Sequence, residues 1–338
     1  MNWFYPIPKC PSTSNATRPK VLPIPWAFGY AESSFKPAGG PLKLLILFNQ
    51  HAAHGRAKSL QPNIELAFKD RGVTCECLID HAPWQGIDLI QNADLQAYDG
   101  VVAAGGDGTL FELINGYQRN VQENKPPIGV LPLGTGNSFA RELDLGGYEW
   151  QKAVNLIAAG HTRACDVGRF VTEGEVYYFL NILGFGFVSD VNATSSRFKW
   201  MGNTSYSMGV FWQLALMKTY PLVLELDGER LERTNFFVEI ANTQFTGATF
   251  HMAPKAKIDD GLLDVVLLNK TSRLRVLKLF PTIFKGTHIE QPEVEMFQAR
   301  SIRVLAPAGK TLTPDGEQMG STPIEVTCLP GAIDVFCP

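Results

Sequence analysis

A chain of 338 residues, 45% hydrophobic and 19% charged with a formal net charge of −3, holds enough apolar material for about two globular domains, which excludes disorder and a fibrous fold. The near-neutral balance, with no cluster of Lys and Arg, also excludes nucleic acid as a main partner, because a polyanion is held by cations that displace its counterions. Glycine is in excess, 31 residues or about 9% against a usual ~7%, and calls for turns or ligand loops.

Residues 1–40 carry seven prolines (6, 8, 11, 19, 23, 25 and 37) among Ser, Thr and the aromatics Trp3, Phe4, Tyr5, Trp26 and Phe28, so they read as an extended arm. They lack the basic start and apolar core of a leader. The longest apolar stretches further on, 44–48 and 208–217, fall short of the ~18–20 residues that cross a bilayer, so membrane contact is expected to be peripheral.

Residues 42–48 read as a buried strand, 57–70 as a helix and 73–79 as a second strand. Two more apolar runs, 98–104 and 127–132, flank a helical stretch at 109–118. Strands alternating with helices predict an α/β domain over residues 41–165: a doubly wound, mainly parallel sheet whose ligand loops lie at the strand C-termini. After residue 166 the rhythm changes to short runs rich in Val, Ile and Phe (176–182, 222–226, 236–241, 263–268, 302–305, 324–328). The turn signals Asp227-Gly228, Asp260-Gly261, Pro314-Asp315-Gly316 and Pro330-Gly331 separate many of them, which predicts a mostly antiparallel β-sandwich over 166–338. Two helices interrupt it, 206–219 and 273–284, the second with Leu274, Leu277 and Phe280 on one face. Six scattered cysteines, Cys10, Cys75, Cys77, Cys165, Cys328 and Cys337, suggest reduced thiols in the cytosol, with Cys75 and Cys77 sharing a strand face rather than forming half a metal site. His51 and His54 read as loop histidines.

The strongest local signal is Gly105-Gly106-Asp107-Gly108-Thr109, directly after a strand and directly before a helix. Three glycines let the main chain approach a ligand closely, and the helix start aims free N–H groups and its positive dipole end at it; the segment reads as an anion cradle. Thr109 and Glu112 also have the spacing of a helix capping box, so a structural role stands beside the functional one. Asp107 argues for function. A carboxylate repels phosphates unless a cation bridges the two, which implies Mg²⁺. A second loop, Pro132-Leu133-Gly134-Thr135-Gly136-Asn137-Ser138, leaves the next strand of the same sheet and is expected to face the same crevice. The common nucleotide fingerprints are incomplete: Gly309-Lys310-Thr311 lacks the first glycine of a P-loop, and neither Gly184-Phe185-Gly186 nor Gly134-Thr135-Gly136 reaches the third glycine of a dinucleotide motif.

In this order, the two glycine loops, the Asp259-Asp260-Gly261-Leu262-Leu263-Asp264 turn and Pro314-Asp315-Gly316-Glu317 resemble the catalytic domain of the diacylglycerol kinase family. The likeness is greatest to its soluble bacterial lipid kinases, related to sphingosine kinases and more distantly to NAD kinases. Phe179-Leu180-Asn181 leading into Gly184-Phe185-Gly186, and Asn242, also fit, so the likeness runs from about residue 42 to the C-terminus. It implies ATP-dependent phosphorylation of a lipid hydroxyl, diacylglycerol to phosphatidic acid first, in a cleft between a nucleotide domain and a sandwich. It implies that Gly105, Gly106, Asp107, Gly108 and Thr109 bind ATP phosphates, with Asp107 acting through Mg²⁺. Asn49, Gly134, Thr135 and Asn137 would complete the nucleotide side. Glu317 would be the base with Asp315 beside it, while the related sphingosine kinases suggest Asp107 for that role. The Asp260 turn resembles a structural Mg²⁺ site using main-chain oxygens near Lys257 and Leu262, with Asp166 tied to the metal and water network. The implied setting is cytoplasmic, peripheral at the inner membrane surface, with ATP and a lipid as partners and a homodimer admitted.

Two departures from the family pattern stand out. Its first loop reads Asn-Pro-x-Ser-Gly, whereas Asn49 here is followed by Gln50 with Gly55 later, and its second loop ends in Asp where this chain has Ser138. They keep open a lipid-binding protein of weakened catalysis, beside a sphingosine-, ceramide- or NAD-type kinase. Taken without the resemblance, Asp315-Gly316 reads as a plain hairpin turn, as Asp227-Gly228-Glu229 does. Phe198, Trp200, Met201, Tyr206, Phe211 and Trp212, flanked by Arg197, Lys199 and Lys218, suit a lipid entry and equally a core helix.

Overall fold

The computed structural model describes residues 41–186, 218–247 and 249–338; the proline-rich arm, Cys10 and the apolar residues from Phe198 to Trp212 lie outside these ranges. The first half is built on a parallel sheet. Strand β1 (Lys43–Asn49) is central because Leu44 to Phe48 are buried on both faces. Strands β2 (Thr74–Asp80) and β3 (Gly100–Gly105) pair with it in parallel on either side, and β4 (Ile128–Pro132) follows beyond β3. The order β2-β1-β3-β4 makes the connections diverge between β1 and β3, which opens a crevice at the strand C-termini there. Helices α1 (Arg56–Lys69), α2 (Gln85–Gln91), α3 (Asp107–Arg119), α4 (Ser138–Glu142) and α5 (Trp150–Ala159) connect and cover the strands. The sequence reading passes over two of them. Helix α2 is too short to show a period, whereas α5 carries one in Ala153, Val154 and Ile157 and ends on the left-handed Gly160.

The second half is an antiparallel sandwich: β5 (Thr162–Thr172), β6 (Glu175–Phe179), β7 (Ile182–Gly186), β8 (Tyr220–Leu226), β9 (Glu229–Ala241), the small hairpin β10 (Phe245–Thr246) and β11 (Phe250–His251), β12 (Leu263–Asn269), β13 (Val294–Ala299), β14 (Ser301–Ala306), β15 (Thr311–Pro314), β16 (Met319–Ser321) and β17 (Ile324–Phe336). Phe170, Phe179, Phe185, Val238 and Val265 lie in its inner core. A second apolar layer, with Phe237, Val266 and Met252, lies under the helix Arg273–Ile283.

Three expectations are corrected. Residues 176–182 form two strands instead of one, because the amides of Leu180, Asn181 and Ile182 turn aside to the Asp315 carboxylate. On the helix Arg273–Ile283 the buried side chains are Val276 and Leu279, while Leu274 is exposed. Pro330-Gly331 is a bulge inside β17, not a turn between strands. Asp166 pins that bulge: its two carboxylate oxygens accept from the Gly331 amide at 2.7 Å and the Gly261 amide at 2.6 Å. Beyond the bulge β17 stays paired with β5 and also reaches the parallel sheet. Val335 pairs in parallel with Ile128 of β4, and the ring of Phe336 lies where a Cβ on Gly100 would come within 2.8 Å, so one sheet runs through both halves.

Glu239 of β9 lies in register with Gly184 of β7 and Val266 of β12, beneath the second apolar layer. A Cβ at Gly184 would sit 2.6 Å from Glu239 Oε2, and Oε1 has no hydrogen-bond partner among the described residues. Burial pushes the Glu239 carboxyl up to about 8. The folded chain therefore keeps this proton at pH values where the unfolded chain, with a carboxyl near ~4.3, has released it. The contribution is fully present below that value and is lost as pH rises through the folded pKa. Glu239→Gln has no proton to lose. Thermal melts should show it more stable than wild type near about pH 9 and within about 1 kcal/mol of it near about pH 5; parallel pH profiles for the two proteins would refute this account.

Candidate active site

The loops that follow β1 to β4 close on a cleft of about 690 Å³, within the range of small-ligand sites. After β1 it is lined by Asn49, His51, Ala52 and Ala53, and after β2 by residues 80–84. Gly106, Asp107, Gly108, Thr109 and Glu112 come from β3 and α3, Gly134, Thr135 and Gly136 from the loop after β4, and Glu317 from the β15–β16 turn.

The two glycine loops touch. The amides of Leu133 and Gly134 donate to the Gly105 carbonyl at 2.9 and 3.0 Å, and a Cβ on Gly134 would stand 2.3 Å from the Cα of Gly106. No other residue fits at that crossing. Asn137 shapes the second loop from inside: at φ 53° its Oδ1 accepts from the Gly134 amide, and its Nδ2 donates to the carbonyls of Gly134 and Gly147. It is buried and does not line the cleft. Thr135 is exposed at the mouth.

Helix α3 begins at Asp107 with Gly106 as its cap, so the expected capping box at Thr109 does not form. Thr109 Oγ1 instead accepts from Asn49 Nδ2 at 3.2 Å, joining the first strand end to the glycine loop. Glu112 accepts from the amides of Trp84 and Gly86 at 3.1 and 2.8 Å and so holds the start of α2. Asp107 is fixed by Ser138, whose amide donates to Oδ1 at 2.7 Å and whose hydroxyl donates to Oδ2 at 3.0 Å. Where the family pattern has a second carboxylate, this chain has a donor that orients the first.

Asp315 and Asp227 show how one tripeptide takes two roles. Both occupy left-handed turns, at φ 48° and 49°. Asp227 is exposed and accepts from the amides of Arg300 and Ser301. Asp315 is buried and accepts from Leu180, Asn181 and Ile182 at 3.0, 2.9 and 3.1 Å, which fixes the turn that carries Glu317. Glu317 leans over the first loop: a Cβ at Gly108 would lie 2.6 Å from its Oε1, as one at Gly136 would lie 2.6 Å from Asp107 Oδ2.

Among the described residues the lining contains Asp80, Asp107, Glu112 and Glu317, the imidazoles of His51 and His81, and no Lys or Arg. Burial raises all four carboxyls. For Asp107 it outweighs the Ser138 donors, Asp107 in turn raises Glu317, and Asp80 helps burial push Glu112 up to about 7. Burial pushes Asp315 up to about 7 against three amides that favour its ionised form. The remaining predicted residues stand apart. None of Asp166, Lys257, Asp260 and Leu262 lines the cleft; Asp260 Oδ1 accepts from the Leu262 amide at 3.1 Å, and Asp259 pairs with Arg163 at 2.6 Å. Asp80, His81 and Trp84 are missed in the sequence, Glu112 is given there only a capping role, and His51 is read as a plain loop residue. The rule applied there to the ends of β3 and β4, extended to β1 and β2, would have found the strand-end members.

The chain resembles known proteins along most of its length. Residues 43–170 match the diacylglycerol kinase catalytic domain, and residues 181–337 match the YegS C-terminal NAD kinase beta sandwich-like domain. A diacylglycerol kinase of Mycobacterium tuberculosis (strain CDC 1551 / Oshkosh) is 30% identical over 299 residues, covering 88% of this chain and 95% of that protein. One of Staphylococcus aureus (strain bovine RF122 / ET3-1) is 32% identical over 246 residues, covering 71% and 75%. Among solved structures, one from Bacillus anthracis str. Sterne superposes with a TM-score of 0.74 at 25% identity, covering 89% of this chain and 99% of its own. A second from that organism, titled a diacylglycerol kinase, shares the fold at a TM-score of 0.72 and 23% identity, with the same coverage. The α/β domain and the sandwich thus recur along almost the whole chain, and the protein belongs to the diacylglycerol kinase family of lipid kinases.

Proposed function

We propose that the chain transfers the γ-phosphate of ATP to a lipid hydroxyl with the help of Mg²⁺, diacylglycerol becoming phosphatidic acid, the reaction that the names of its relatives point to. One observation carries this. Two touching glycine loops and the carboxylates of Asp107 and Glu317 meet in a cleft whose lining, among the described residues, holds no Lys or Arg. Main-chain amides there can take phosphate oxygens, but four carboxyls would repel a triphosphate unless a divalent cation came with it.

Among the described residues no group of three or more His, Cys, Asp or Glu is poised to hold a metal by itself. That suits Mg²⁺, which takes one or two carboxylates, substrate phosphates and water in preference to an all-protein cage. Asp107 would hold the ion, which when bound would neutralise charge on the phosphate oxygens. Ser138 keeps Asp107 in one orientation, a feature that favours an active enzyme over a weakened one. Gly106, Gly108, Thr109 and Gly134 cradle the phosphates, Gly105 braces both loops through its carbonyl, Asn137 keeps the second loop in shape, and Asn49 and Thr135 border the nucleotide. As the lipid oxygen bonds to the γ-phosphorus and the bond to the bridging oxygen of ADP breaks, Glu317 accepts the hydroxyl proton. Burial and the Asp107 charge raise its affinity for that proton, which makes it a stronger base than a free Glu. The Asp260 turn, away from the cleft, is retained as a second cation site through the Asp260 carboxylate.

Incubation with labelled ATP and diacylglycerol in mixed micelles is expected to place label in phosphatidic acid, with loss on chelation and recovery with Mg²⁺. Asp107→Ala is expected to weaken nucleotide binding about tenfold or more in calorimetry done with Mg²⁺. Label absent from diacylglycerol, ceramide and sphingosine alike would overturn the proposal, and label in NAD would move it to a soluble substrate.

A further inference from the structure

The helix Arg273–Ile283 has an outer ridge that the fold does not cover. Leu274, Lys278, Pro281 and Lys285, three or four residues apart, share that face, and Phe284 lies at its edge. Leu274 is 73% exposed and Phe284 48%, two of the few large apolar side chains the described residues leave in water. Phe284 is not a loose end. Its ring packs on Phe250 of β11 at 5.1 Å and on Phe280 at 5.8 Å, so it is presented by a rigid aromatic cluster.

Charge follows the same ridge. Residues 265–289 contain Lys270, Arg273, Arg275, Lys278 and Lys285 and no Asp or Glu, in a chain of net charge −3. Arg275 turns inward to Glu293 at 2.7 Å, whereas Arg273, Lys278 and Lys285 form no ion pair among the described residues. Glu290, in the following turn, is the nearest exposed acid in the sequence. Among the described residues no helix is long and apolar enough to cross a membrane.

We propose that this ridge docks the protein on an anionic lipid bilayer, with Leu274, Pro281 and Phe284 entering the interface and Arg273, Lys278 and Lys285 meeting lipid phosphates. Exposed Leu and Phe between lysines, in a chain of net negative charge, match an anionic bilayer in both apolar and electrostatic character. A bilayer rewards both at once, through apolar burial and surface potential. The inference deepens the lipid-kinase reading and rests on it only for why the protein visits a bilayer at all.

The test is sedimentation of the full chain with vesicles of phosphatidylcholine alone or with about 30% phosphatidylglycerol. Wild type is expected to pellet with the anionic vesicles and to be released by high salt. Lys278→Glu together with Lys285→Glu should lower the partition coefficient at least about tenfold, and Leu274→Asp about fivefold. All three positions are exposed, so folding should be untouched. Turnover of a short-chain diacylglycerol dissolved as monomer should equal wild type in each variant. If these variants pellet like wild type, or wild type ignores anionic vesicles, the proposal falls. A wild-type dimer that the charge reversals dissociate, with no vesicle binding, would also overturn it and assign the ridge to a second copy. Vesicle binding that depends on the lysines in a protein that phosphorylates no lipid would leave the docking surface standing and sink the kinase reading alone.

Discussion

Glu317→Gln is expected to lower kcat by about 10²–10⁴-fold while nucleotide affinity stays within about threefold. The amide keeps the size and most contacts of the side chain but cannot take a proton from the attacking hydroxyl. Wild-type kcat/KM should rise with pH through a limb lying above the ~4.3 of a free Glu, because the carboxylate must be ionised to act and both burial and Asp107 hold its pKa up. The variant should lose that limb along with its rate. Turnover above about a tenth of wild type would mean that the proton leaves by another route, and Asp107 would then be the carboxylate to examine.

Asp315→Ala should produce the largest loss of stability, about 3–5 kcal/mol by urea denaturation. Three buried amides, those of Leu180, Asn181 and Ile182, would lose their acceptor together, and each unmet donor costs about 1–3 kcal/mol before the chain relaxes. Asp315→Asn, which retains one acceptor oxygen, should cost about half as much. Asp227→Ala removes the same residue type from the same kind of turn at the surface and is expected to cost about 1 kcal/mol or less. Equal losses at 315 and 227 would show that Asp315 acts only through its turn geometry.

The two glycine loops were legible because strand, glycine run and helix adjoin in sequence, so one local pattern contains both the geometry and its cause. Glu317 was legible only through family resemblance, since Asp-Gly-Glu is written twice and sequence does not say which copy is buried. The break between β6 and β7 was not legible, because its cause, Asp315, lies more than 130 residues away. The capping box failed for a related reason: the carboxylate of Glu112 found the amides of Trp84 and Gly86 across the fold before the amide at its own helix start. Leu274 satisfied the helical period yet points outward, which periodicity cannot distinguish from burial when a helix has apolar residues on two sides.

Strand β17 sets an order on how the protein can be made. The sheet begun by Lys43 gains the parallel neighbour of β4, and the ring that packs on Gly100, only with residues 335 and 336. The nucleotide half therefore cannot seal its flank until the chain between residues 132 and 335 has been made. The two halves cannot mature as independent beads on a string, since loss of residues 335 and 336 would reach back to the sheet that starts at Lys43.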